Sequence, residues 1–198
     1  MVKILAPVAI LAVFIAVVLA IPENEEVSTA NSNAADMDVS ALQVGDMAKL
    51  VVHETPFNEM TTIFADGEGE PMTVADMRGK VVVMNFWATW CAPCRAEMPS
   101  IDRLAGELNG EDIHVMAVST DRGDRARIDG FFEEVEIQHL GVYRDQKSEL
   151  AREAGAFGLP MTIIIGRDGR EIARLLGEAE WDSAEAKAII RRLAEQEG

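Results

Sequence analysis

Apolar residues fall along this chain in three patterns: one long unbroken run at the start, short solid runs in the middle, and runs spaced three and four apart. The solid runs come first in importance. "VVVMNFW" (81–87), "IHVMAVST" (113–120) and "MTIIIG" (161–166) are rich in β-branched residues. Such runs predict strands buried on both faces. "EMTTIF" (59–64) predicts a shorter strand, followed by a Gly- and Asp-rich turn at "ADGEGEP". "RDGR" places Asp-Gly between two apolar runs, so "MTIIIG" and "EIARLLG" pair as a hairpin.

The spaced runs predict helices. One starts at Ala92 and turns Met98, Ile101, Leu104, Ala105 and Leu108 inward. "DRGDRARIDGFFEEV" gives a second, with Ile128, Phe131, Phe132 and Val135 inward. "QKSELAREAGA" (146–156) gives a third, and "WDSAEAKAIIRRLAEQ" closes the chain behind a cap at Asp182 or Ser183. "TVADMRGK" reads as one capped turn ending at Gly79. Strands alternate with helices and a hairpin follows, which predicts an α/β fold: a central mixed β-sheet flanked by helices on both faces.

The long run, residues 4–21, has no charge. As a helix it spans about 27 Å at ~1.5 Å per residue, near the minimum for a bilayer. A secretory signal has a shorter apolar core, so length favours an uncleaved anchor, although "VLA" at Ala20 also has the form of a cleavage site. Lys3 ahead of the run and "PENEE" behind it put the body outside the inner membrane, where disulfides persist. Residues 22–54 are mostly polar and small, and read as a flexible linker in which 41–53 is able to form a short extra element. The expected organisation is therefore an anchor or signal at 1–21, a linker at 22–54 and a folded domain at 55–198.

Charge narrows the partners. Of 198 residues, 34 are acidic and 18 basic, for a formal net charge of −16. No strongly basic patch is present, which excludes nucleic acid.

The chemistry sits in "NFWATWCAPCR" (85–95), which holds both cysteines of the chain, Cys91 and Cys94. A structural zinc needs four ligands, and His53, His114 and His139 are scattered without ligand spacing. A structural disulfide over so short a loop removes little chain entropy. A redox dithiol remains. At the end of a buried strand and the tip of a helix, Cys91 gains free N–H groups and the positive end of the dipole, both of which stabilise a thiolate. Cys91 is then the exposed attacking thiol, and Cys94, one turn in, the buried resolving thiol. Pro93 suits the first helical turn. Arg95 either adds positive potential or points to solvent. No metal or cofactor is expected, and no peroxidatic motif surrounds Cys91.

"FWATWCAPCRAEMP" and "GLPMTIII" together resemble the two landmarks of thioredoxin-like proteins. The anchor, "RGKVVVMNFWATWCAPCRAEMPSID", "GLPMTIIIGRDGREIA" and the late "GEAEW" are similar to the TlpA-like family of membrane-anchored periplasmic thiol:disulfide reductases. The resemblance implies a thioredoxin-like fold, a cis Pro160 opposite the cysteines, and a partner-facing surface of Trp90, Ala92, Pro93 and Leu159, with Trp87 in the core. It implies disulfide-bearing clients, either copper-centre assembly proteins of cytochrome oxidase or apocytochrome c, and a membrane dithiol donor of electrons. The cytochrome-maturation branch has an acidic residue after the proline; here it is Met161, which favours copper-centre clients. The buried aspartate that thioredoxin itself has six residues before its first cysteine is replaced here by Asn85, and an amide cannot accept the proton of the second thiol. Asp121 is read either as a residue tuning the thiols or as a helix cap. Glu97 is the alternative carboxylate, expected to face solvent. Two other functions stay open: a disulfide-forming oxidant, and a copper-binding module using Cys91 and Cys94 as ligands. Ala-Pro between the cysteines, with no histidine, favours the reductant.

Overall fold

A computed structural model describes residues 39–196. The expected anchor at 1–21 and the first part of the expected linker lie outside them. No helix among the described residues is long and apolar enough to cross a membrane.

The described chain forms a thioredoxin-like α/β fold around an eight-stranded mixed sheet. In chain order the elements are β1 (Val51–Glu59), β2 (Phe64–Ala65), β3 (Pro71–Met72), β4 (Val81–Trp87), α1 (Ala92–Leu108), β5 (Ile113–Ser119), α2 (Ala126–Glu134), β6 (Val142–Arg144), α3 (Glu149–Glu153), β7 (Met161–Ile165), β8 (Arg170–Leu176) and α4 (Ala184–Gln196). The sheet order is β1-β8-β7-β4-β5-β6-β2-β3. β4, β5 and β6 run parallel, while β7 is antiparallel to both β4 and β8.

β4 is buried along its whole length, as its solid apolar run predicts. Successive side chains point to opposite faces. Val81, Val83 and Trp87 join the core under α1, α2 and α4. Val82, Met84 and Phe86 join the second core, with α3, Met60 and Phe64. Helices therefore cover both faces, as expected. The hairpin β7–β8 and the turn at Val74–Met77, closed by a capping box between Thr73 and Asp76, form where predicted. α4 starts behind Ser183, whose hydroxyl accepts from the Ala186 N–H.

Three expectations need correction. The segment assigned to the linker as far as residue 54 is packed from Val39 onward: Val39, Met47 and Leu50 are buried in the first core, and β1 pairs with β8. Its sequence, VSALQVGDMAKL, is largely apolar, and these three residues, with Leu42 packed against the same core, anchor it. The same segment reaches the loop before α4, where Lys49 donates to the Glu178 carbonyl and Asp46 accepts from the Glu180 N–H. Second, residues 59–64 are not a strand. β1 ends at Glu59 and β2 begins at Phe64, because the Glu153 carboxylate takes the N–H groups of Thr61 and Thr62 that a ladder needs. Third, the helix expected at 146–156 is only Glu149–Glu153. Asp145 caps it through the N–H groups of Glu149 and Ala151, Ser148 is left-handed before it, and Gly155 (φ 72°) stops it.

Candidate functional site

β4 delivers the chain to the site. After Trp87 it leaves the sheet, and Cys91 becomes the N-cap of α1. The Cys91 sulfur accepts the Cys94 N–H at 3.3 Å. One of the free donors of the helix tip thus already points at the sulfur that needs negative charge. Cys91 and Cys94 are joined as a disulfide, with Cα atoms 5.3 Å apart. Cys94 is fully buried. Cys91 lines an open groove of about 550 Å³, yet is more covered than the sequence suggests. It forms part of the groove lining rather than projecting from it.

The Leu159–Pro160 peptide is cis, as the resemblance implies, and Leu159 lines the same groove. Trp90 is 71% exposed, and Ala92 and Pro93 are exposed beside it. The four residues expected to face a partner are therefore gathered at one end of the sheet with Cys91. Trp87 is fully buried and stacks on Phe132. Arg95 follows neither simple expectation. Its guanidinium lies 4.4 Å from the centre of the Phe131 ring and pairs with Glu134.

Glu97 does not face solvent. It is 4% exposed, on the buried side of α1 that also carries Cys94. Three groups donate to its carboxylate: Asn85 Nδ2 at 2.8 Å, the Ala179 N–H at 3.1 Å and Trp181 Nε1 at 3.3 Å. The expected solvent face of α1 is covered here by the 178–181 loop, which comes from a distant part of the chain. Burial pushes the Glu97 carboxyl up to about 7, outweighing the hydrogen bonds from Asn85, Ala179 and Trp181. A carboxyl in that range can both hold and release a proton at neutral pH.

Asn85 thereby gains a meaning that its amide chemistry alone does not suggest. Buried within an apolar strand, it must find partners. Its Nδ2 donates to Glu97 and, across the β4–β7 ladder, to Thr162 Oγ1 at 2.9 Å. It ties the strand after Pro160 to the helix that carries both cysteines. Trp181, at the end of "GEAEW", is buried and donates to Glu97 as well.

Asp121 is not a helix cap, since α2 begins at Ala126. Its carboxylate accepts from the Thr89 N–H, the Thr89 hydroxyl and the Ser119 hydroxyl, each at 2.8 Å. It pins the turn that presents Trp90 and Cys91 and makes no hydrogen bond to either sulfur. The signal for this role was a buried acid just past a strand that runs beside β4.

Comparisons with known proteins bear on the family and the fold. The AhpC/TSA family model matches residues 51–174. The thiol-disulfide oxidoreductase ResA of Bacillus thuringiensis subsp. konkukian is 30% identical over 123 residues, covering 62% of this chain and 70% of ResA. The thiol:disulfide interchange protein HelX of Rhodobacter capsulatus is 36% identical over 118 residues, covering 59% of this chain and 64% of HelX. Among solved structures, a thioredoxin-family thiol:disulfide interchange protein of Chlorobium tepidum superposes with a TM-score of 0.58 at 20% identity, over 72% of this chain and 99% of that one. A secreted thiol-disulfide isomerase of Corynebacterium glutamicum does so at 0.60 and 18% identity, over 75% and 92%.

Proposed function

We propose that this chain, which belongs to the AhpC/TSA family of thioredoxin-like proteins, works as a reductant of client disulfides at the outer face of a bacterial inner membrane. That it is a thiol–disulfide oxidoreductase follows from its relatives. The direction, the clients and the location are our reading. The observation that carries it is the division of labour at the tip of α1: Cys91 on the groove, Cys94 buried behind it, and Glu97 one turn further in.

The reaction starts from the dithiol. The Cys91 thiolate attacks one sulfur of a client disulfide. That bond breaks, and the displaced client thiolate takes a proton from water. Cys94 then gives up its proton and attacks the Cys91 sulfur of the mixed disulfide. The client's second sulfur leaves as a thiolate and is protonated in turn. Two electrons have passed to the client, and Cys91–Cys94 is left as the disulfide seen here. The Cys94 proton needs a buried acceptor, and Glu97, with a pKa of about 7, is suited to that task. A membrane dithiol donor restores the reduced pair, because an oxidising compartment would otherwise leave it as a disulfide.

The apolar run at 4–21 behind Lys3 supports an anchor with the body in the periplasm. Met161 directly after Pro160 favours copper-centre assembly proteins of cytochrome oxidase as clients over apocytochrome c. The test is to replace Cys94 by serine, so that the mixed disulfide on Cys91 cannot be resolved, and to identify what is attached. Copper-site assembly proteins support the reading, and apocytochrome c or its chaperone shifts it to cytochrome maturation. Failure of Cys94→Ser to trap any protein disulfide refutes it.

A further inference from the structure

We propose that Phe157 and Leu176 form a wall beside the cysteine groove that selects clients carrying an apolar side chain next to their own reactive cysteine. This rests on the oxidoreductase reading above and goes one step further, to the chemistry of the client.

Phe157 is 89% exposed and Leu176 64% exposed, and with Trp90 they are among the few large apolar side chains so open to water among the described residues. Exposed apolar residues scattered singly mean little, but a cluster at a reactive groove marks an interaction surface. Phe157 and Trp90 both line the groove that holds Cys91. Leu176 extends the wall from the neighbouring strand. Its Cδ1 lies 3.6 Å from the Cβ position of Gly158, ordinary contact distance, which places it against the loop.

The wall is held rigidly. The Phe157 N–H bonds to the Gly155 carbonyl at 2.9 Å. Under the loop lies Arg174, gripped by the fully buried Glu171 carboxylate at 2.5 and 2.6 Å. The same guanidinium donates to the Ala154 carbonyl and reaches within 3.6 Å of the Cβ position of Gly155. His53 on β1 completes the support by bonding to Glu171. A loop that exposes a phenylalanine is thus supported from below by an ion pair between the buried Glu171 and the half-buried Arg174.

Charge identifies the occupant. Apart from the cysteine, none of the residues lining the groove has an ionisable side chain, although the chain carries a net charge of −16. A charged client residue entering the groove loses water and finds no partner. An acidic client is also repelled by the chain as a whole. The fitting occupant is an extended client segment with an uncharged apolar residue beside its cysteine, lying between Trp90 and Phe157 on a client that is not acidic. Aromatic side chains are the usual anchors of such contacts.

The test uses cyclic peptide disulfides that differ only in the residue before the first cysteine: Leu, Ser, Glu or Lys. The reduced protein is mixed with each in stopped flow, and with glutathione disulfide as a small reference. The expected result is about tenfold faster reduction of the Leu peptide than of the Glu peptide, in line with partial burial of one leucine. Phe157→Ser should shrink that ratio to about threefold or less, while Phe157→Leu should keep most of it. Equal rates for all four peptides with the wild type overturn the inference and leave the oxidoreductase reading intact. A faster Lys peptide overturns it in favour of a cation-binding wall. A fall of all rates together in Phe157→Ser, glutathione disulfide included, assigns Phe157 a merely structural role and also overturns it. A wild-type dimer that Phe157→Ser dissociates makes the occupant a second copy of the chain, and overturns it as well. A wild type that reduces no peptide overturns both readings.

Discussion

Replacing Glu97 by glutamine removes a titrating group from the interior while keeping its shape. The carboxyl moves from an ordinary value of 4.5 to about 7 in the folded chain. Folding therefore favours its protonated form. The stabilisation is fully present below pH 4.5 and is lost as pH rises through about 7. At ~1.4 kcal/mol per unit, the span is worth at most about 3 kcal/mol. Other carboxylates, such as Asp182 beside Arg103, titrate in both proteins and cancel in the comparison. The assay is urea unfolding of the disulfide form of both proteins between pH 4 and pH 8.5. The stability of Glu97→Gln relative to the wild type should rise by about 2–3 kcal/mol across that range, nearly all of it between pH 4.5 and 7.5. The same variant should slow release of client from the mixed disulfide by roughly a hundredfold, the scale of a lost proton acceptor. A stability difference that does not change with pH would refute the placement of a buried, titrating carboxyl. An unchanged release rate would refute its role with Cys94.

Further predictions follow from the same contacts. Trp181→Phe removes the indole donor to Glu97 but keeps most of the packing. It should push the Glu97 carboxyl above its present value, seen as an alkaline shift in the pH profile of release, and cost about 1 kcal/mol in urea unfolding. Asp121→Asn leaves at least one of the Thr89 and Ser119 donors unmet, costs about 1–3 kcal/mol, and should alter the Cys91 thiolate titration followed by its ultraviolet absorbance. If both quantities stay at wild-type values, Asp121 has no positioning role. A chain beginning at residue 55 lacks Val39, Met47 and Leu50, each worth roughly 1.5–3 kcal/mol when buried, together with part of β1. It should lose its cooperative thermal transition, whereas a chain beginning at residue 38 should keep it.

The elements that position the cysteines were legible because their patterns are unambiguous. A seven-residue solid run has one reading as β4, and Asp-Gly between apolar runs has one reading as a hairpin. The last three strands on one side of the sheet, β6, β2 and β3, span two or three residues each, too short to show any period. The segment 39–50, VSALQVGDMAKL, was hidden because the polar stretch 22–38 ahead of it set the character of the expected linker, although 39–50 itself is largely apolar. Phe157 offered no clue at all: on sequence grounds an apolar residue near a predicted helix belongs to the core, and only the structure shows it turned outward.

The candidate site divides in the same way. The cysteines and Pro160 are local signals and could be read directly. Glu97 depends on the 178–181 loop folding over α1, a contact between residues some 80 apart. Helix spacing alone made its side look like the outside. Asn85 was the residue that carried the information, because an amide within a buried strand demands a partner. Its partner proved to be the carboxyl that the missing aspartate left to be found.

The central claim, that Cys91 and Cys94 form a reducing dithiol, is tested most directly by their redox equilibrium. The protein is poised in dithiothreitol and glutathione buffers of graded potential, and the free thiols are trapped by alkylation and counted. The account predicts a midpoint on the reducing side, near the roughly −270 mV of thioredoxin. A midpoint near the roughly −120 mV of a strong periplasmic oxidant would contradict it.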